Sequence, residues 1–239
     1  MRRGRQPPAQ HLHAEVSVVA DIRPEDPVSA LVRESHEAAL VVLGSRGLGR
    51  IAGMLLGSVR LALAGRSHCP VVVIPAATPS ARPKPGRIVV GIGDAAGPSA
   101  AAHFAFAQAT SRHGELIAAR AWRCPAHEAA DHPLLAGSSA STHRRQAEEH
   151  LEDVPAVLER TRSDAVVHRS VLQGPVHQIL IEEAEGAELL VVGAHHAGGH
   201  HGLRPGPVNH AVLHCAPCPV AVVPDNTRSL RAGARATLP

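Results

Sequence analysis

Two stretches of the chain repeat one pattern: Gly57-Ser-Val-Arg-Leu-Ala-Leu-Ala-Gly-Arg-Ser-His-Cys-Pro-Val-Val-Val-Ile-Pro75 and Gly206-Pro-Val-Asn-His-Ala-Val-Leu-His-Cys-Ala-Pro-Cys-Pro-Val-Ala-Val-Val-Pro224. Each runs from a glycine to Cys-Pro, at Cys69-Pro70 and Cys218-Pro219, and then through an apolar run closed by proline. The offset is 206 − 57 = 149 residues. Upstream, Leu40-Val-Val-Leu-Gly44 matches Leu189-Leu-Val-Val-Gly193 at the same offset, 193 − 44 = 149. A common spacing held without a gap over this span predicts an internal repeat.

Working outward, the same elements precede both stretches. In the first copy, residues 15–20 are apolar and β-branched and predict a strand. Residues 27–39 predict a helix opening after Asp26 as N-cap. A buried-type strand over 40–43 follows, then a Gly-rich loop, a helix from about Leu55 to Arg66 and a strand over 71–74. The second copy repeats this with a strand over 165–170, a helix over 175–184, a strand over 189–192, a loop, a helix over 207–215 and a strand over 220–223. It has more in front: a strand over 87–92, an Ala-rich helix over 98–113, a strand over 115–122 and a helix over 143–162 broken at Pro155.

Strands that are continuously apolar and alternate with helices predict an α/β fold, a parallel sheet covered on both faces. Residues 86–224 thus predict a complete doubly wound domain, whereas the first copy, within residues 1–77, begins at its third strand. Residues 78–85 predict a stiff Pro-rich linker, 124–141 a polar surface loop and 225–239 a disordered tail.

Composition narrows the function. Of 239 residues 44% are hydrophobic but only 1% aromatic, so Ala, Val, Leu and Ile must build the core. Modules that stack bases on aromatic platforms are disfavoured, and the net charge of +3 is scattered, so no nucleic-acid partner is expected. The basic start, residues 1–5, reads as a frayed terminus. No apolar run approaches the ~20 residues of a membrane helix. Residues 6–10, Gln-Pro-Pro-Ala-Gln, stand where a signal peptide needs an apolar region, and the expected location is the cytoplasm. There the four cysteines, Cys69, Cys124, Cys215 and Cys218, are expected to stay reduced.

The first loop reads Gly44-Ser-Arg-Gly-Leu-Gly-Arg-Ile-Ala-Gly-Met-Leu-Leu-Gly-Ser58. A Gly-rich turn between the C-terminal end of a parallel strand and a helix is where doubly wound folds bind ligands. Glycines let backbone N–H groups turn toward an anion, and a helix N-terminus adds partial positive charge. Ser58 offers a hydroxyl and Arg46 a charged donor. The competing reading is that these glycines only turn the chain.

The spacing Gly44, two residues, Gly47, nine residues, Gly57-Ser58 resembles the ATP-phosphate motif of the universal stress protein family. The strand before it and the Cys69-Pro70-Val-Val-Val ending are similar too, and the likeness runs from about Glu15 to Pro224. It implies a Rossmann-like sheet of order 3-2-1-4-5 in each of two tandem domains. It also implies an adenine nucleotide, ATP, held by Gly44, Ser45, Arg46, Gly47, Gly57, Ser58 and Val59, with Mg²⁺ on the phosphate oxygens. The role implied is stress-response regulation rather than dedicated catalysis. The alternatives are a nucleotide-free interaction module and a slow ATPase. In the family the fifth strand is the pairing edge between domains. Residues 71–74 and 220–223 are therefore expected to dock the two copies on each other.

Both copies depart from the family pattern. In the second loop His196 replaces the second glycine and Pro207 the Ser/Thr, so a hydroxyl and an N–H are lost. Gly93 stands where the family has Asp after the first strand, with Asp94 one residue late. Weak or absent nucleotide binding is expected there. The first copy lacks the two strands that sit mid-sheet. Residues 15–20 then cannot reach their neighbour, and either the start lies upstream or the copy has decayed.

Other chemistry is less well supported. His195, His196, His200, His201, His210, His214, Cys215 and Cys218 invite a metal reading. Against it, His occurs 18 times in the chain, Cys218 aligns with Cys69, and no second ligand pair closes a tetrahedral site. Glu182 and Glu183 fall on different faces of one helix, and no Gly-x-Ser-x-Gly elbow is present.

Overall fold

The computed structural model describes residues 17–44, 53–75, 83–93, 99–123, 136–159, 165–194 and 206–225; for 53–58, 136–139 and 153–159 it describes the backbone alone. The strands are β1 Val41–Gly44, β2 Val71–Ile74, β3 Arg87–Gly91, β4 Glu115–Trp122, β5 Val166–Gln173, β6 Leu189–Gly193 and β7 Val220–Val223. The helices are α1 Pro27–Glu34, α2 Gly53–Arg66, α3 Ala100–Ser111, α4 Ala136–Glu159, α5 Val176–Glu183 and α6 Pro207–Cys215. Among the described residues no helix is long and apolar enough to cross a membrane.

All seven strands form one sheet, ordered β1-β2-β7-β6-β3-β4-β5. Within the second copy the order β5-β4-β3-β6-β7 is 3-2-1-4-5, every neighbour parallel, as the family resemblance implies. The first copy contributes its fourth and fifth strands in the same register as the second. Val41, Val42, Leu43 and Gly44 pair with Val71, Val72, Val73 and Ile74, as Leu190, Val191, Val192 and Gly193 pair with Val220, Ala221, Val222 and Val223.

The two expected edges meet. β2 runs antiparallel to β7, pairing Val71 with Val222, Val72 with Ala221 and Val73 with Val220. Val72 and Ala221 are repeat equivalents, since 72 + 149 = 221. A pseudo-two-fold axis therefore passes through that pair, the isologous geometry of a symmetric dimer built into one chain.

The period of two along each strand divides the apolar residues between two faces. On one face Val41, Val71 and Val73 join Leu190, Val192, Val220 and Val222 in a single buried cluster with Leu63, Val212 and Leu213 from α2 and α6. On the other, Ile88, Val90, Leu189, Val191 and Val223 pack under Ala101, Ala102, Ala105 and Ala109 of α3, with Leu151 of α4. Alanine lets α3 lie close to the sheet, which is how a chain nearly without aromatics fills its core.

Three expectations are corrected. Residues 17–20 are not a strand and Val19 is exposed. A β-branched run becomes a strand only beside a neighbour, and among the described residues no strand pairs with it. α1 stops at Glu34, short of the expected residue 39. Its N-cap is as read, Asp26 accepting from the Ser29 backbone N–H at 2.9 Å. α4 starts at Ala136, inside the expected loop, and its backbone stays helical past Pro155. Proline removes one helical bond, and Ala147 and Leu151, buried against the sheet, hold the rod together.

The domain's entry is fixed by two glycines. Gly86 has φ +76°, the left-handed region that disfavours a side chain, and donates its N–H to Glu188 Oε2 at 2.7 Å. A Cβ on Gly114 would lie 2.0 Å from the Gly86 carbonyl oxygen. Gly114→Ala should therefore force two backbone segments apart and cost about 1–3 kcal/mol or more. A urea midpoint shifted down at unchanged slope would show it, and an unchanged midpoint would contradict the close approach.

Candidate functional site

Because β2 runs antiparallel to β7, β1 ends on one end of the sheet and β3 and β6 end on the other, so each copy has its own strand-end site. Gly44 ends β1, and a Cβ built there meets no atom of the described residues within 4 Å. Ser45, Arg46 and Gly47 lie outside the described residues. Gly57 and Ser58 are in the backbone of α2. Val59 is partly buried and packs against the core cluster.

One local feature differs from expectation. α2 opens at Gly53, not near Leu55, so Ser58 sits in the second turn rather than at the helix start. The N–H groups left free by a helix belong to its first turn. In the first copy those groups start at Gly53, and what Ser58 can add is its hydroxyl.

The second copy is built differently. α6 opens at Pro207 with Gly206 as N-cap and no side-chain cap. Proline suits the first helical position because its fixed φ matches the helix and its missing N–H would be unpaired anyway. The buried Asn209 donates through Nδ2 to the Gly193 carbonyl at 2.9 Å, tying the end of β6 to α6 across the loop. Its repeat equivalent, 209 − 149 = 60, is Arg60. Arg60 lies 3.1 Å from Nδ1 of His214 in α6, so the two helices after the loops touch beside the pseudo-two-fold axis. A guanidinium can only donate, which makes His214 Nδ1 an acceptor and the ring neutral. Burial, then the charge of Arg60, then His210 hold the His214 pKa below its usual value.

At the front of the second copy the Gly93 carbonyl accepts from the guanidinium of the buried Arg120. A positive charge thus faces the position where the family resemblance puts a carboxylate; Asp94 lies outside the described residues. A cavity of 270 Å³ opens beside it, lined by Arg120, Trp122, Arg123, His143, Gln146 and His150. Asn209, Arg60 and Arg120 were missed in the sequence. The repeat alignment pairs the first two, but nothing local marks them as a strap and a bridge.

Among the described residues no three His, Cys, Asp or Glu side chains converge as metal ligands. His195, His196, His200 and His201 lie outside them. His210 and His214 pack with ring centroids 4.7 Å apart. Cys218 is buried, and burial pushes its thiol up to about 11, which suits a packing group better than a thiolate ligand. Ser170 donates to Glu183 and Arg87 sits within 3.6 Å of it, so Glu183 is tied into the sheet's edge.

A profile of the universal stress protein family matches residues 5–75 and 85–224. A universal stress protein of Mycobacterium tuberculosis H37Rv is 38% identical over 202 residues, 82% of this chain and 62% of that protein. A second from the same strain is 36% identical over 211 residues, 87% of this chain and 69% of its own length. The chain thus spans under two thirds of the first relative. Among solved structures, a functionally unknown protein from Pseudomonas aeruginosa PAO1 superposes with TM-score 0.60 at 16% identity, covering 93% of this chain and 77% of its own. A universal stress protein from Archaeoglobus fulgidus does so with TM-score 0.55 at 19% identity, over 84% and 66%. Likeness at these identities is likeness of fold.

The His214 contact makes stability pH-dependent. Its folded pKa lies below the unfolded value of 6.5, so the unfolded chain takes up the proton more readily. The contribution is complete above that value and is lost as pH falls through it toward the lower folded pKa. His68, lowered by burial and by His36, acts in the same sense, so the comparison needs a variant. Between about pH 7.5 and 5.5 the melting temperature should fall, and in His214→Gln it should fall by about 1–3 °C less. Equal falls in both proteins would remove His214 from the pH response.

Proposed function

The chain belongs to the universal stress protein family, and on that premise we propose that it is a regulatory protein that binds an adenine nucleotide, ATP, through the loop after β1. The observation that carries this is the spacing Gly44, Gly47, Gly57-Ser58 at the C-terminal end of a parallel strand that is followed by a helix. Backbone N–H groups of the loop and of the first turn of α2 would face the phosphates. Arg46 would supply charge and Ser58 its hydroxyl, and Mg²⁺ would ride on the phosphate oxygens, offsetting their repulsion. The second copy has Pro207 in place of the hydroxyl and Arg120 at its front, and on this reading it holds nucleotide weakly or not at all.

The setting proposed with this role is the cytoplasm, and the role is not that of a dedicated enzyme. A second reading, an interaction module without nucleotide, is favoured by one observation. β1 is the terminal strand of the sheet, so the strand that would wall the front of its pocket has no counterpart beside it among the described residues.

Calorimetry separates the two readings. The expected result is one ATP per chain. Ser58→Ala should weaken it by about 1.5 kcal/mol or more, roughly tenfold in Kd, because the lost hydrogen bond goes to a charged partner. Ser58→Val, which removes the hydroxyl and keeps the side chain's bulk, should weaken binding at least as much while the sheet stays folded by circular dichroism; Ser58→Pro would also break α2 in its second turn. Affinity unchanged by both Ser58→Ala and Ser58→Val would mean that the loop is only a turn.

A further inference from the structure

α4 turns one stripe toward the end of β4. His143, Gln146, Ala147 and His150 are spaced by three and four residues, which puts them on one helical face. With Arg120, Trp122 and Arg123 they line the cavity of 270 Å³. The alternation of β4 says which side of the sheet this is. Ile117 and Ala119 belong to the cluster that contains Val212 and Leu213 of α6. Leu116 and Ala118 belong to the cluster under α3 that contains Leu151 of α4. Arg120 and Trp122 continue this second set. The cavity therefore lies on the face away from α6, the helix that follows the loop after β6, and is a different site from that loop's crevice.

Its lining has one sign. Arg120 and Arg123 are cations that only donate, His143 and His150 are neutral or positive, and no carboxylate is among the lining residues. Glu148 and Glu149 of the same helix fall off the stripe and pair with Arg144 and Arg145. Arg120 is 8% exposed, and its guanidinium donates to the Gly93 carbonyl, which fixes its direction. His150 Nδ1 lies 2.8 Å from the Gln146 carbonyl and so carries the proton, which leaves Nε2 of the neutral ring to accept from a hydroxyl. We propose that this cavity binds a small phosphate monoester, its phosphate on Arg120, Arg123 and His143 and its short hydroxylated body against Trp122, Gln146 and His150. Guanidinium forks match phosphate oxygens. The volume of 270 Å³ lies just under the about 300–1,000 Å³ of pockets for drug-sized molecules, so the guest is smaller than a nucleotide. This proposal does not rest on nucleotide binding by the first copy.

Trp122 is the chain's single tryptophan, so its emission reports on the site directly. The full chain is titrated with glycerol 3-phosphate, and with inorganic phosphate for comparison. The ester should shift the emission and saturate at about 1 mM or below, about tenfold tighter than inorganic phosphate, which leaves Trp122 and His150 unmet. Arg123→Gln, at an exposed position that can lose its charge without unfolding the chain, should weaken the ester about tenfold or more. ATP at about the same concentration should not displace it. No saturable response by fluorescence and by calorimetry, or a response untouched by Arg123→Gln, overturns the proposal. So does inorganic phosphate binding as tightly as the ester, the mark of an adventitious ion only. Displacement by ATP overturns it as well, since the cavity would then be part of a nucleotide site. None of these outcomes bears on ATP at the loop after β1, which Ser58→Ala reads separately.

Discussion

The antiparallel contact between β2 and β7 is what makes the first copy part of a folded protein. β1 and β2 are four residues each, and an isolated two-stranded sheet of that length does not hold in water. Joined to β7 through Val71, Val72 and Val73 they become the end of a seven-stranded sheet whose other five strands are complete in themselves. The helices follow. α2 lies on the buried cluster containing residues of both copies, and α1 is carried with it through Leu31 and Val32. The ion pairs around α1, such as Arg33 with Glu25 and Arg23 with Glu34, are exposed, and pairs of that kind contribute little.

Much of the architecture was legible because it rests on two signals that survive without context. Continuous apolar runs closed by proline marked β2 and β7 to the residue, and β4 was placed with its observed bounds despite Arg120 within it. The offset of 149 residues placed β1 and β6 as equivalents, and through the family resemblance it pointed to the edge pairing. What misled were elements whose fate is decided by neighbours. Residues 15–20 have the composition of a strand, and the part described, 17–20, is irregular and has no partner among the described strands. The first turns of α4, Ala-Gly-Ser-Ser, have weak helix propensity, and the helix is maintained from further along, where Ala147 and Leu151 are buried.

The site was legible in a different way. The glycine spacing and the strand that precedes it are local and could be read directly. The start of α2 at Gly53 rather than near Leu55 could not, because Gly53-Met54 reads equally as loop or helix. Nor could Asn209 or Arg60, whose roles depend on two helices meeting at an axis. Equivalent positions in the repeat have diverged to different tasks there. One copy straps its own loop with an amide, and the other reaches across the axis with a guanidinium.

The pairing of β2 with β7 also sets an order of events during synthesis. β2 ends at Ile74, and its partner begins at Val220, the last strand of the sheet in chain order. Apolar segments made early must wait for roughly 145 further residues, the span between these two positions, before the contact that shelters them can form. Closure over so long a separation is slow, and strands left bare meanwhile are exposed to aggregation. Until β7 is in place, β2 is in effect a client awaiting its host.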